Sequence, residues 1–238
     1  MQEDNPQSGV HTVIKKNMPH KVFSFLLLCA LGACGTAPMS SSSSASSAAA
    51  GATAIPPIPA AVPVTLDART TALLILDINS VICQPNPDCV RTVPAIASLL
   101  GKARALKVPV FYSTTVNPGG PPPVLTAVAP QAGEPVVATR ANKFTGTNLE
   151  DLLKQRNVST LVIVGSAANG AVMYSAFHAN TKGYTVVVAE DGISSPVPVN
   201  TQLARYQLLN QPGFINSGNT PLADKKVTLS RSDLITIE

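Results

Sequence analysis

The chain has 238 residues, 45% of them hydrophobic and 13% charged, which is enough apolar material for one ordinary domain with appendages. Its formal charge is +4; residues 1–33 hold three Lys and two acidic residues, and without them 14 basic side chains face 11 acidic ones. No basic stripe accompanies that charge, and aromatics are only 4% with no Trp, so nucleic acid is excluded as a partner.

Residues 18–33 read as a targeting signal. Met18-Pro-His-Lys21 is a short basic start, residues 22–31 form an apolar stretch of h-region length, and Leu31-Gly-Ala-Cys34 follows. A small-residue site ending in Cys resembles the lipobox of bacterial lipoproteins. That resemblance implies cleavage before Cys34 and acylation of its thiol and new amino terminus, hence a lipid-anchored protein of the cell envelope facing the periplasm. An ordinary secretory signal, giving a soluble periplasmic or secreted protein, is the alternative. The apolar run is too short to span a bilayer. Met18 is a candidate start, because residues 1–17 are polar and unlike a signal.

Residues 34–64 are Ser/Ala-rich and then Pro-rich, too poor in large apolar side chains to pack, and read as a tether between the anchor and a domain at 65–238. Cys29 leaves with the signal and Cys34 is the lipid site. Cys83 and Cys89 remain, in Cys83-Gln-Pro-Asn-Pro-Asp-Cys89, and an oxidising periplasm favours their pairing. Closing so short a loop stabilises by roughly 2 kcal/mol in the chain-entropy model. Two of the three histidines lie in or before the signal, so no metal site is expected, and no cofactor is called for.

In the domain, Thr71-Ala-Leu-Leu-Ile-Leu-Asp77 is a continuous apolar run of the kind buried on both faces of a sheet, ending in a carboxylate. Helical spacing over 93–107 and a strand over 108–113 complete a crossover unit. Residues 114–135, rich in Gly and Pro, read as a long loop over the strand ends. A short strand at 136–138 follows, then a helix over 148–156 with Thr147 as N-cap and Glu150 closing a capping box. The strand 160–164 ends at a small-residue turn, Gly165-Ser-Ala-Ala-Asn-Gly-Ala171, that opens a helix over 169–182. A strand at 185–189, a loop at 190–196, a helix over 199–209 and a strand at 226–230 finish the pattern. Alternating strands and helices predict a three-layer α/β/α domain with a mostly parallel sheet and functional loops at its carboxyl edge.

Four stretches carry a family resemblance: Thr71-Ala-Leu-Leu-Ile-Leu-Asp-Ile-Asn79, Lys143-Phe-Thr-Gly-Thr-Asn-Leu149, Gly165-Ser-Ala-Ala-Asn-Gly-Ala171 and Gly183-Tyr-Thr-Val-Val-Val-Ala-Glu-Asp-Gly192. In that order and at those intervals they resemble the isochorismatase-like, or cysteine hydrolase, superfamily over about residues 71–234. That superfamily includes isochorismatases, nicotinamidases and N-carbamoyl amidohydrolases. It implies a Rossmann-like fold, a small-molecule substrate or ligand, and allows a homo-oligomer.

The family's amidases use an Asp at the end of the first strand, a Lys before the middle helix and a Cys at the start of the helix after the fourth strand. Asp77 matches the first. The Cys falls on Ala171, which cannot act as a nucleophile. Counting back from Thr147 without gaps puts the Lys position at Ala138, while Lys143 or Arg140 is close enough to supply the charge. Losing a nucleophile costs on the order of a millionfold in turnover, which rules out amide hydrolysis through a thioester. Ser166 and Ser175 are nearby hydroxyls, but a serine needs a base, and His178 lies within a helix.

Isochorismatases likewise carry a small residue at the Cys position, because a vinyl ether is hydrolysed by protonation and water attack. That scheme makes Asp77 a general acid with a raised pKa and Lys143 its catalytic partner. The export signal argues against isochorismate itself, a cytoplasmic metabolite. Asn79, Phe144, Ala167, Ala168, Gly170, Ala171 and Tyr174 are the candidate substrate-binding residues. The turn is where the family carries a non-proline cis peptide, and the amides of Gly170 and Ala171 are candidates for an oxyanion hole. Asn79, Phe144 and Tyr174 have structural readings as well, as a polar support, a core aromatic and a packing residue. The resulting expectation is a hydrolase using acid–base chemistry, against a non-catalytic domain that binds a small molecule or partner protein.

Overall fold

The computed structural model describes residues 55–238, so the expected signal, Cys34 and most of the expected tether lie outside the described residues. In chain order the elements are β1 (Val64–Leu66), β2 (Thr71–Leu76), α1 (Ser80–Cys83), α2 (Pro87–Ala105), β3 (Val110–Thr114), β4 (Val136–Ala138), α3 (Leu149–Lys154), β5 (Thr160–Ser166), α4 (Met173–Thr181), β6 (Thr185–Ser194), α5 (Pro198–Leu209), β7 (Val227–Ser230) and β8 (Ile235–Ile237).

Strand β2 lies inside a six-stranded sheet of order β4-β3-β2-β5-β6-β7, whose pairs are all parallel. The chain builds outward from β2 to β4 on one side, then returns to build β5 to β7 on the other. The β2/β5 junction is therefore the switch point at which α/β sheets open a crevice. Every β2 residue is 1% exposed or less, which explains its unbroken apolar run.

Alternate side chains of β2 feed two cores. Ala72, Leu74 and Leu76 pack with α3, α4 and α5 residues such as Leu153, Ala176 and Leu208. Leu73 and Ile75 pack with Ile96, Leu99, Leu100 and Ala103 of α2. Helices thus cover both faces, and the three-layer α/β/α architecture expected from the sequence is the one observed.

Several boundaries differ from the sequence reading for local physical reasons. Helix α2 starts at Pro87 rather than 93, because the Asn86 side chain accepts from the Asp88 amide at 3.2 Å and Pro87 occupies the first turn; Pro94 is carried inside the helix. The capping box does not form. Asn148 holds the cap position of α3 without a side-chain bond; the Thr147 hydroxyl accepts from the Leu149 amide at 3.3 Å, as a cap would, and donates to the Lys143 carbonyl at 2.6 Å, but Glu150 is paired with Lys154 and Lys182. Strand β6 runs on to Ser194 through residues expected to form a loop. Gly192 permits this, since a Cβ there would sit 2.6 Å from Val164 Cγ1.

Two short strands, β1 and β8, form a separate parallel pair that the sequence reading missed. Residues assigned to the tether also join the domain: the Val62 amide donates to Leu229 O at 3.1 Å and Val62 O accepts from Ser230 Oγ at 2.7 Å. Asn219 Oδ1 accepts from the Leu229 amide at 2.8 Å and its Nδ2 donates to Leu229 O at 2.9 Å. Together these contacts occupy the outer edge of β7, the kind of strand edge that would otherwise template association.

Candidate active site

Register brings the site together. Leu76 pairs with Ser113 on one side and with Gly165 on the other, so Asp77, Ser113 and the turn after Gly165 emerge at one level of the carboxyl edge. The approach between β2 and β5 demands glycine at 165. Its φ is +143°, and a Cβ there would lie 2.2 Å from the Leu76 carbonyl oxygen.

Asp77 takes a left-handed backbone conformation, φ +55°, and is 4% exposed. Its Oδ2 lies 2.7 Å from Lys143 Nζ, and its Oδ1 accepts from Ser113 Oγ at 2.7 Å. Burial pushes the Asp77 carboxyl above its ordinary value, while the Lys143 charge and the Lys143 and Ser113 hydrogen bonds pull it back down. A carboxyl held in this way, beside a cation, can carry a proton to or from a bound molecule.

Lys143 is fully buried and answers which of the nearby residues supplies the charge. Ala138 lies exposed on the edge strand β4 and Arg140 is exposed, whereas the loop from 139 to 147 folds back on itself. Thr139 Oγ1 donates to Thr145 O at 3.0 Å, and Lys143 Nζ donates to Thr139 O at 3.2 Å. Helix α4 fastens the loop from the other side: Ser175 Oγ accepts from the Lys143 amide at 3.1 Å, and Asn142 Nδ2 lies 3.1 Å from His178 Nδ1. Two ammonium protons of Lys143 have partners, leaving a third without one among the described residues.

The turn carries a cis peptide between Ser166 and Ala167. Ala168 and Ala171 are buried, while Ala167 and Gly170 are half-buried. The turn winds more widely than an α-helix over Ala168–Val172 and kinks at Gly170 (φ −122°, ψ −107°), so the single expected helix begins properly only at Met173. The Gly170 amide donates to Ala167 O at 3.0 Å, which removes it from the expected oxyanion pair. Among the described residues no base attends the nearby serines: Ser166 Oγ donates to Ser194 O and accepts from Ser194 Oγ, and Ser175 Oγ holds the lysine loop.

Two of the expected substrate contacts, Asn79 and Phe144, have structural duties, and Tyr174 lies on the surface. Asn79 is fully buried, its Oδ1 caps α1 by accepting from the Ile82 amide at 3.0 Å, and its Nδ2 reaches Thr114 Oγ1 at 3.4 Å. Both ends of its amide are spent on structure. Phe144 packs in the core and stacks on His178 with ring centres 4.9 Å apart. Tyr174 is 54% exposed on α4 and makes no hydrogen bond to the Asp77–Lys143 pair. Ser113, Thr139 and Ser175, which hold the pair in place, were not singled out from the sequence for that role. They are neighbours across the sheet and between loops, and no sequence spacing marks them.

The long loop closes over this edge. Thr114 Oγ1 donates to Pro122 O at 3.2 Å, the Ser80 amide to Pro123 O at 3.1 Å and the Leu125 amide to Ile78 O at 3.0 Å. Beside it, Cys83 and Cys89 form a disulfide joining α1 to the first turn of α2. An open cleft of about 290 Å³ lies between the amino ends of α2 and α5, floored by Asp191, Ile193 and Ser194, and includes neither Asp77 nor Lys143. Asp191 there receives the Ser232 amide and hydroxyl at 2.9 and 2.6 Å, which makes it an anchor for the carboxyl-terminal segment.

With this geometry in view, the sequence matches the family description "Isochorismatase domain" over residues 71–215. It is similar to an N-carbamoylsarcosine amidase of Arthrobacter sp, 29% identical over 178 residues covering 61% of this chain and 67% of that protein. It is also similar to a secreted isochorismatase effector of Verticillium dahliae, 31% identical over 110 residues, 42% of this chain and 58% of that protein. The fold resembles that of a cysteine hydrolase from Pseudomonas syringae pv. phaseolicola, TM-score 0.62 at 17% identity, covering 73% of this chain and 94% of that one.

Proposed function

Because the chain belongs to the isochorismatase family, we propose that it is a hydrolase that acts on a small molecule by acid–base chemistry at Asp77 rather than through a cysteine nucleophile. The observation that carries this reading is the buried Asp77–Lys143 pair, 2.7 Å apart at the switch point of the sheet, beside a turn whose nucleophile position holds Ala171. The raised Asp77 pKa keeps a fraction of the carboxyl protonated at higher pH than an ordinary aspartate. In the proposed reaction Asp77 protonates the substrate, water attacks the resulting cation, and Lys143 uses its third N–H to hold a substrate oxygen. Asp77 becomes a carboxylate when it gives up its proton, and the proton released by the attacking water returns it to the acid form. The disulfide between Cys83 and Cys89 and the secreted relative support export, and Cys34 is the proposed site of the lipid anchor in the cell envelope.

The second reading, a non-catalytic binder of a small molecule or partner, is favoured by one observation: Asp77 and Lys143 are only 4% and 0% exposed. A panel of small amides, esters and enol ethers offered to the purified protein separates the two. Turnover of an enol ether or ester supports the hydrolase, and no turnover across the panel, with a ligand that raises the melting temperature, supports the binder.

A further inference from the structure

Asp77 has two carboxylate oxygens with two different partners. Oδ2 faces the Lys143 ammonium, and Oδ1 faces the Ser113 hydroxyl, each at 2.7 Å. Ser113 is itself 1% exposed at the end of β3, and its carbonyl accepts from the Asp77 amide at 3.1 Å. One residue therefore grips Asp77 at both backbone and side chain. The rotation of a carboxylate about its last bond is soft, and the lysine beyond it is a long chain with a rotatable head. Among the described residues, the Ser113 hydroxyl is the short, rigidly mounted group that fixes that rotation.

The geometry points to Ser113 as a positioning residue that fixes the rotation of the Asp77 carboxyl and, by donating to Oδ1, stabilises its ionised form. Both partners donate to the ionised carboxyl, the ammonium to Oδ2 and the hydroxyl to Oδ1, so both favour the carboxylate over the acid. This deepens the proposed hydrolase reading and rests on it for any role in turnover, while the hold of Ser113 on the carboxyl stands on the contact itself. Among the described residues, the charged group that pairs with Asp77 is Lys143; the other polar side chains at this edge, Asn79 after β2, Ser113 and Thr114 of β3 and Ser166 of β5, are uncharged. The Ser113 bond also works against burial in setting the Asp77 titration.

The test is a carbon-13 titration of the Asp77 carboxyl in the full chain, comparing the native protein with Ser113→Ala, Ser113→Thr and Ser113→Cys. Ser113→Ala raises the Asp77 midpoint by about one pH unit, the size expected for one lost hydrogen bond to a charged group. Ser113→Thr keeps the native midpoint, and Ser113→Cys, a weaker donor, moves it part of the way. With a substrate from the panel, the alkaline limb of kcat moves up with the midpoint in Ser113→Ala while KM stays within about twofold. An unmoved midpoint in folded Ser113→Ala overturns the proposal, as does an equal shift in Ser113→Thr. The titration needs no turnover, so failure of the hydrolase reading and failure of this one are told apart.

Discussion

Breaking the Asp77–Lys143 pair one partner at a time gives the sharpest prediction about stability. Lys143→Met leaves the Asp77 carboxylate buried with only the Ser113 hydroxyl; Asp77→Asn leaves an ammonium at 0% exposure with no counter-charge, only the neutral acceptors of the new amide and the Thr139 carbonyl. An uncompensated buried charge costs about 3–5 kcal/mol, so each single variant loses about that much in urea-induced equilibrium unfolding at pH 7. The double variant leaves no charge behind and lies closer to the native protein than either single one. The pH dependence has a definite sign. The folded chain holds the Asp77 carboxyl above its ordinary 3.8, so the stability linked to its proton is full below about pH 4 and is lost as pH rises through the folded value. Lys143→Met removes the charge that pulls this value down, so its deficit is largest at pH 7 and shrinks towards pH 4, where Asp77 takes up a proton. Additive single losses, with the double variant worst of all, would refute the idea that the two side chains form one buried unit.

Three further outcomes follow from single contacts. Gly165→Ala sets a Cβ 2.2 Å from the Leu76 carbonyl at φ +143°, and we expect a loss of about 4 kcal/mol or more in thermal or urea unfolding; a loss under 1 kcal/mol contradicts the close approach of β2 and β5. Ala171→Cys puts a thiol at the start of the helical turn, 3% exposed, and should create slow, iodoacetamide-sensitive turnover of activated amides at a packing cost of about 1–3 kcal/mol. Reducing the Cys83–Cys89 disulfide, whose cysteines are six residues apart, should cost about 2 kcal/mol, or about 4–8 °C in melting temperature for a domain of this size, and an unchanged melting curve counts against it.

The central strands were legible because burial on both faces writes itself as uninterrupted apolar runs: residues 71–76 and 160–164 could be read directly, and Asp77 stood out as the charge that ends one of them. Asp77, Lys143 and the Gly165 to Ala171 turn were found through motif order as well as pattern. What stayed hidden is what depends on folding. β1 and β8 are three residues each, too short to show a period, and exist because they pair with one another. Glu150 looks like a capping residue in sequence, but Lys154 and Lys182 compete for its carboxylate and win. Asn79 looks like a pocket residue because it follows Asp77, yet it caps α1. Ser113 reads in sequence as one polar residue near a strand end; only the register of β2 against β3 shows what it touches.

The central claim is that Asp77 supplies the chemistry at a site without a cysteine. Its most direct measurement is the turnover number of Asp77→Asn beside the native protein, on the best substrate from the amide, ester and enol-ether panel, with folding checked by circular dichroism. The account predicts a fall of about a hundredfold to ten-thousandfold in kcat, the scale of removing a general acid, and no sensitivity of the native rate to iodoacetamide. Native-level turnover by folded Asp77→Asn would contradict it.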